Sequence, residues 1–267
     1  MVRDPGKQPS IGAVAFAAAL SVCALPIQAD AQEIASRGRG QQLAQQLCAE
    51  CHAIDKGDEA SPLAEAPTFP TVAATPGATA KLYAQAKNGA PFQVFLSADH
   101  EHVDRLCAEG VGVGETRFVY ATGKLALYSA REPVRDGALL RGDTVKHLAI
   151  ANPAVAPYGA AAVAALKALG LWDALAPRIV QGENIAQTHQ FIESGAAEAG
   201  FVAWSQVLKA PADRVWLLPQ DLYPPLVQEA VLLAPGKDKP AATAYLAYLK
   251  TDAARALITA TGYAWKP

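Results

Sequence analysis

From Gly77 to Pro267, short apolar runs alternate with helical stretches of ten or so residues, and that rhythm leaves few architectures open. "ATAKLYAQAKNGAP" reads as a helix closed by Asn88-Gly89, "FQVFLSA" as a short buried strand and "EHVDRLCAEG" as a helix with Gly110 at its end. "RFVYATGKLALYSA" is apolar and strand-like. The second half repeats the alternation: "HLAIANP" is a strand, "YGAAAVAALKALGLWDALAP" a helix stopped by Gly170, "RIVQG" a strand, and "ENIAQTHQFIESG" a helix stopped by Gly195. "AGFVAWSQV", "VWLLP" and "EAVLLAPG" read as strands, and the stretch from Pro240 to Tyr263 gives two closing helices. Glycine just past the last helical residue supplies the left-handed backbone that ends a helix. Strands separated by helices of this length predict an α/β fold with a mostly parallel sheet covered by helices.

Ahead of Gly77 the texture differs. Arg3 and Lys7 precede an apolar, alanine-rich run from Ile11 to Ile27, and Ala29-Asp30-Ala31 reads as a small-x-small cleavage site before Gln32. Residues 1–31 are thus expected to be an export signal, since the run is broken by Pro26 and barely long enough to span a bilayer. The mature chain is expected to be periplasmic and soluble. Residues 34–46 suggest a polar-faced helix, and the Pro- and Ala-rich stretch from Asp58 to Pro76 a loop or linker. The formal net charge of -2, with no basic block, argues against nucleic acid or an anionic membrane as partner.

Between these segments stands Cys48-x-x-Cys51-His52, the order that attaches c-type haem: two thiols for the vinyl groups and an adjacent imidazole for the iron. With the preceding helix and the following "APTFPTVA", residues 34–74 resemble the front of class I c-type cytochromes. The resemblance implies covalent haem c on Cys48 and Cys51, His52 as an axial ligand of the haem iron, and electron transfer as the alternative function. The only methionine is Met1, which leaves with the signal, so a Met–His haem is excluded within the mature chain. A sixth ligand falls to His100, His102, His147, His189, a lysine or water. Cys107, left single, reads as a small buried hydrophobe.

Three helices open on small or uncharged residues, Glu183 excepted: "GATAKLYAQ", "APYGAAAVAAL" and "GENIAQTHQF". A helix start carries unpaired N–H groups and partial positive charge, which suits an oxyanion, and small residues let the backbone come close. Taken one at a time, each is more often a plain N-cap than a binding site.

Over residues 77–267 the chain resembles the periplasmic molybdate-binding proteins of ATP-binding-cassette importers. Long runs carry the resemblance, among them "KLYAQAKNGAPFQVFLSADHEHVDRL", "LAIANPAVAPYGAAAVAALKALGLWDAL" and "RIVQGENIAQTHQFIESGAAEAGFVAWSQV". It implies a two-lobed periplasmic binding protein fold of type II, with a second lobe near residues 146–219. The lobes would close on a tetrahedral dianion held by neutral donors. Carried over by position, the oxyanion-binding residues are Thr79 through its hydroxyl, Tyr158, and Ile185 through its backbone N–H. Their plainer alternatives are an N-cap, a buried aromatic and a core aliphatic. The implied ligand is molybdate or tungstate, with sulfate as a possible competitor. The implied partner is an importer permease in the inner membrane, and the implied state a monomer. Glu183 and Asp99 lie near the proposed site, but no paired base and nucleophile accompanies them, so no enzyme is expected. The sequence departs from the family in one place. Nothing between Gln32 and Pro76 matches its apolar first strand and the loop that brings a further hydroxyl or amide, so the first lobe is expected to be incomplete.

Overall fold

Two sheets divide the chain. The computed structural model describes residues 77–265; the predicted export signal (1–31) and the segment predicted to be cytochrome-like (32–76), with Cys48, Cys51 and His52, lie outside the described residues. In chain order the main elements are α1 (Thr79–Lys87), β1 (Val94–Ser97), α2 (Glu101–Ala108), β2 (Gly112–Gly123), β3 (Leu125–Tyr128), β4 (Leu148–Ala151), α3 (Pro157–Ala168), α4 (Trp172–Leu175), β5 (Ile179–Gly182), α5 (Ile185–Ser194), β6 (Ala199–Ala203), β7 (Val215–Leu217), β8 (Leu226–Leu233), α6 (Pro240–Leu249) and α7 (Asp252–Ala260). Gly110, Gly170 and Gly195 all have positive φ, as their places at helix ends require.

The first lobe carries the order β1-β8-β2, both pairings antiparallel. All residues of β8 are buried, because helices cover both of its faces. Val231 and Leu233 pack with Tyr83, Val103 and Leu106 of α1 and α2, while Ala230 and Leu232 pack with Ala242, Leu246 and Leu249 of α6. Burial of each Val or Leu is worth about 1.5–3 kcal/mol. The same strand buries one charge. Glu229, 5% exposed at its side chain, accepts hydrogen bonds from Nε and Nη2 of Arg117 at 2.7 and 3.0 Å. The Nδ1 of His100 lies 2.7 Å from Oε2, the oxygen that Nη2 also reaches. Hydrogen bonds to Glu229, then to Asp104, raise the Arg117 guanidinium above its usual range.

The second lobe carries β5-β4-β6-β3-β7. β4 pairs parallel with β5 and β6, and β3 pairs antiparallel with β6 and β7. The inner strands "LAIA" and "AGFVA" are buried throughout, one face against α3 and the other against α5, which is why they read as unbroken apolar runs.

The structure corrects two sequence expectations. Parallel pairing is confined to β5-β4-β6 rather than prevailing. β3 and β8 enter their sheets from the other lobe, without the same-sheet crossover helix that would make them parallel. The run 117–130 is not one strand but two, parted at Lys124 and belonging to different sheets. The helix after Tyr158 stops at Ala168, just before Gly170 as expected, and α4 is a separate short turn beyond it.

Candidate functional site

Because β4 and β5 are parallel neighbours, with Ala151 opposite Gly182, the helices that follow them start side by side. Asn152 ties the two turns together, its N–H donating to the Gly182 carbonyl at 2.8 Å. Pro157 presets the first turn of α3. Gly159 then lies so close to the end of β4 that a Cβ there would collide with the Ala151 carbonyl. At α5, Asn184 Oδ1 accepts from the Gln187 N–H at 2.9 Å, and Gln187 Oε1 reaches back to accept from the Glu183 N–H at 2.6 Å. This reciprocal arrangement fixes the direction in which the helix start points.

The first lobe brings α1 to the same place. The Ala80 N–H donates to the Val155 carbonyl across the cleft at 3.1 Å. Lys81 Nζ lies 3.0 Å from Glu183 Oε2, again between lobes. Ala78, just before α1, packs in one apolar cluster with Ala151, Ala156, Val155 and Ile185. The starts of α1, α3 and α5 therefore meet. Each presents first-turn N–H groups that a helix cannot satisfy internally, with the positive end of its dipole.

The three residues singled out from sequence fare differently. Thr79 is buried at the first position of α1, its Oγ1 accepting from the Ala98 N–H at 3.4 Å. Ile185 is the first residue of α5, half-buried beside the meeting point. Tyr158 lies in the first turn of α3, and its hydroxyl sits close against Gly123 at the crossover between lobes. Burial pushes the Tyr158 phenol well above its usual range, reinforced by the neighbouring phenols of Tyr263, Tyr120 and Tyr223. Its approach to Tyr263 falls short of hydrogen-bond geometry, and the hydroxyl is without a partner, as is Thr122 Oγ1.

Beside the meeting point a cleft of about 580 Å³ opens between the lobes, walled by Ala98, Asp99 and His102 on one side and by Val155, Ala156 and Pro157 on the other. Asp99 accepts from the Ser97 hydroxyl and from the His102 N–H, with His102 Nδ1 at 2.9 Å from its second oxygen. The other three histidines among the described residues each face a carboxylate too: His100 faces Glu229, His147 faces Glu198 and His189 faces Glu193. Among the described residues, no group of three or more His, Cys, Asp or Glu side chains gathers as a metal site. Cys107 is half-buried, and burial pushes its thiol up. Sequence reasoning noted Glu183 but missed its partner Lys81, and it missed Gly123. Both relations join residues far apart in the chain, and no local pattern announces them.

A family profile described as bacterial extracellular solute-binding protein matches residues 58–264. The molybdate-binding protein ModA of Azotobacter vinelandii is 50% identical over 192 residues, covering 70% of this chain and 76% of that protein. ModA of Rhodobacter capsulatus is 45% identical over 190 residues, covering 70% and 75%. The solved structure of the Azotobacter vinelandii periplasmic molybdate-binding protein superposes with a TM-score of 0.70 and 34% identity, covering 90% of this chain and 96% of that one.

Proposed function

The chain belongs to the bacterial extracellular solute-binding proteins, in the branch of the molybdate-binding proteins, and on that premise we propose that three helix starts meeting between its lobes hold the anion. The function is capture of molybdate in the periplasm for an ATP-binding-cassette importer. The observation that carries the site is the packing of Ala78, Ala156 and Ile185 into one cluster, which brings the starts of α1, α3 and α5 together. Uncharged donors suit a dianion that must later be released, because they stabilise it without a full opposing charge.

In this reading the Thr79 hydroxyl donates to one oxygen, while its Oγ1 goes on accepting from the Ala98 N–H. The backbone N–H groups of Tyr158 and Ile185 donate from the other lobe. Tungstate, of the same shape and charge, competes. The protein acts as a monomer, exported under the signal of residues 1–31, and passes its anion to a permease in the inner membrane. It binds and delivers rather than catalyses. Isothermal titration of the mature chain with molybdate, beside thermal melts, tests this. Binding should raise the melting temperature, as mass action requires. Thr79→Ala should weaken it by about 1–2 kcal/mol, the loss of a hydrogen bond to a charged ligand. No heat and no melting shift at millimolar molybdate would reject the reading.

The Cys48-x-x-Cys51-His52 stretch supports a second, separate reading for residues 34–74: covalent haem c, with the two thiols on the vinyl groups and His52 on the iron. Such a haem would supply one-electron exchange. Co-expression with cytochrome c maturation proteins should then give a coloured product that survives denaturing electrophoresis and is lost in Cys48→Ala. Two alkylatable thiols in an uncoloured product would remove this reading.

A further inference from the structure

We propose that Lys81 and Glu183 form an electrostatic latch that sets how fast the cleft reopens and therefore how fast the anion leaves. This rests on the site assignment above and deepens it. Lys81 stands two residues past Thr79 on α1, and Glu183 two residues ahead of Ile185, at the start of α5. Their charged ends meet at 3.0 Å across the cleft, between lobes otherwise joined here by the Ala80–Val155 hydrogen bond and a small alanine cluster.

The pair has a second consequence, from charge. A carboxylate beside a dianion site repels the ligand, and a lone Glu183 would weaken binding. Lys81 cancels that charge only when the lobes are together. With the lobes apart, the same ammonium stands free at the edge of α1, where it attracts an incoming anion. On closure it changes partner, from steering the ligand to holding the lip shut. The side chains are 48% and 69% exposed, which places the pair at the mouth of the cleft and within reach of solvent ions. A latch so exposed is weak and salt-sensitive, as rapid delivery to a permease demands.

The structure supplies its own reporter. The Ala80 N–H is among the first-turn amides that a helix leaves without an internal acceptor, so its protection comes from the Val155 carbonyl of the other lobe. Exchange of this amide, read by NMR on the full mature chain, measures opening with or without anion. Lys81→Met and Glu183→Gln should each speed Ala80 exchange by roughly two- to fivefold, the range of an exposed ion pair. Added salt should do the same to the wild type. The double exchange Lys81→Glu with Glu183→Lys should restore protection, which a merely structural role of either side chain would not do. In a molybdate chase, release should accelerate in Lys81→Met by at least that factor, because the Glu183 left alone also repels the anion. Unchanged Ala80 exchange in both single variants would overturn the latch, even if molybdate binds. A responsive Ala80 amide in a chain that binds no molybdate would leave the latch standing and reject the anion assignment instead.

Discussion

The hydroxyl of Tyr158 lies against the backbone of Gly123, so closely that a Cβ at position 123 would collide with it. Gly123 ends β2, and one residue later the chain enters β3 in the other lobe. The first turn of α3, where an anion is proposed to bind, thus rests directly on the β2–β3 crossover between the lobes. Gly123→Ala should destabilise the protein by about 1–3 kcal/mol through overpacking. Tyr158→Phe should cost far less, since the hydroxyl it deletes has no partner to lose. Together the two should be less harmful than their sum, because Phe makes room for the new methyl. Urea unfolding of the four proteins in a double-mutant cycle measures the coupling; strict additivity would show that the contact does not constrain the crossover.

Glu229 gives a second test. It is buried on β8 and held by Arg117 and His100. Arg117→Met strands a buried carboxylate and should cost about 3 kcal/mol. Arg117→Met with Glu229→Leu removes both charges and should recover much of that loss. Chemical denaturation of the two variants distinguishes a charge effect from a packing effect.

Asn184 is the side-chain cap of α5, and its helix start is one wall of the proposed anion site. Asn184→Ala should cost about 1 kcal/mol of stability, the usual worth of an N-cap. It should also weaken molybdate binding, because the N–H groups of the first turn lose their fixed direction. A stable variant with unaltered titration would detach α5 from the site.

His189 carries the pH prediction. Burial holds its imidazole below the ordinary value of 6.5, with Glu193 pulling the other way. As pH falls through 6.5 the unfolded chain takes up a proton that the folded chain resists. Stability at this site is therefore lost on acidification, and the loss levels off beneath the folded pKa. His189→Gln should flatten that part of the profile between about pH 7 and pH 5, seen as a smaller drop in melting temperature than the wild type shows.

Much of the fold was legible from local chemistry. Gly110, Gly170 and Gly195 ended helices where sequence placed the stops, since positive φ is a property of one residue and its neighbours. The break at Lys124 was not legible. Ala121 to Gly123 and Leu125 to Tyr128 are all buried, so the apolar texture runs on unchanged while the chain passes between sheets. Strand direction was hidden for a related reason, because pairing of β3 with β6 and β7 depends on segments more than 70 residues away. At the site, the helix starts of Thr79, Tyr158 and Ile185 were readable from small residues and from resemblance. The direction of the Tyr158 ring was not, because Gly123, which receives it, gives no sign of the contact in its own surroundings.

The placement of β8 decides the order in which the molecule can be finished. The strands of the second sheet all fall between Leu125 and Leu217, whereas the first sheet has Leu226–Leu233 at its centre, between two strands that precede it by about a hundred residues. A chain emerging N-terminus first across a membrane therefore delivers everything the second lobe's sheet needs before β1 and β2 receive the strand that joins them. Until then those two strands have no common partner and their apolar faces stay open to capture by other chains. The first lobe is the part that waits, and an exported chain interrupted before Leu226 could complete the sheet of only one of its two lobes.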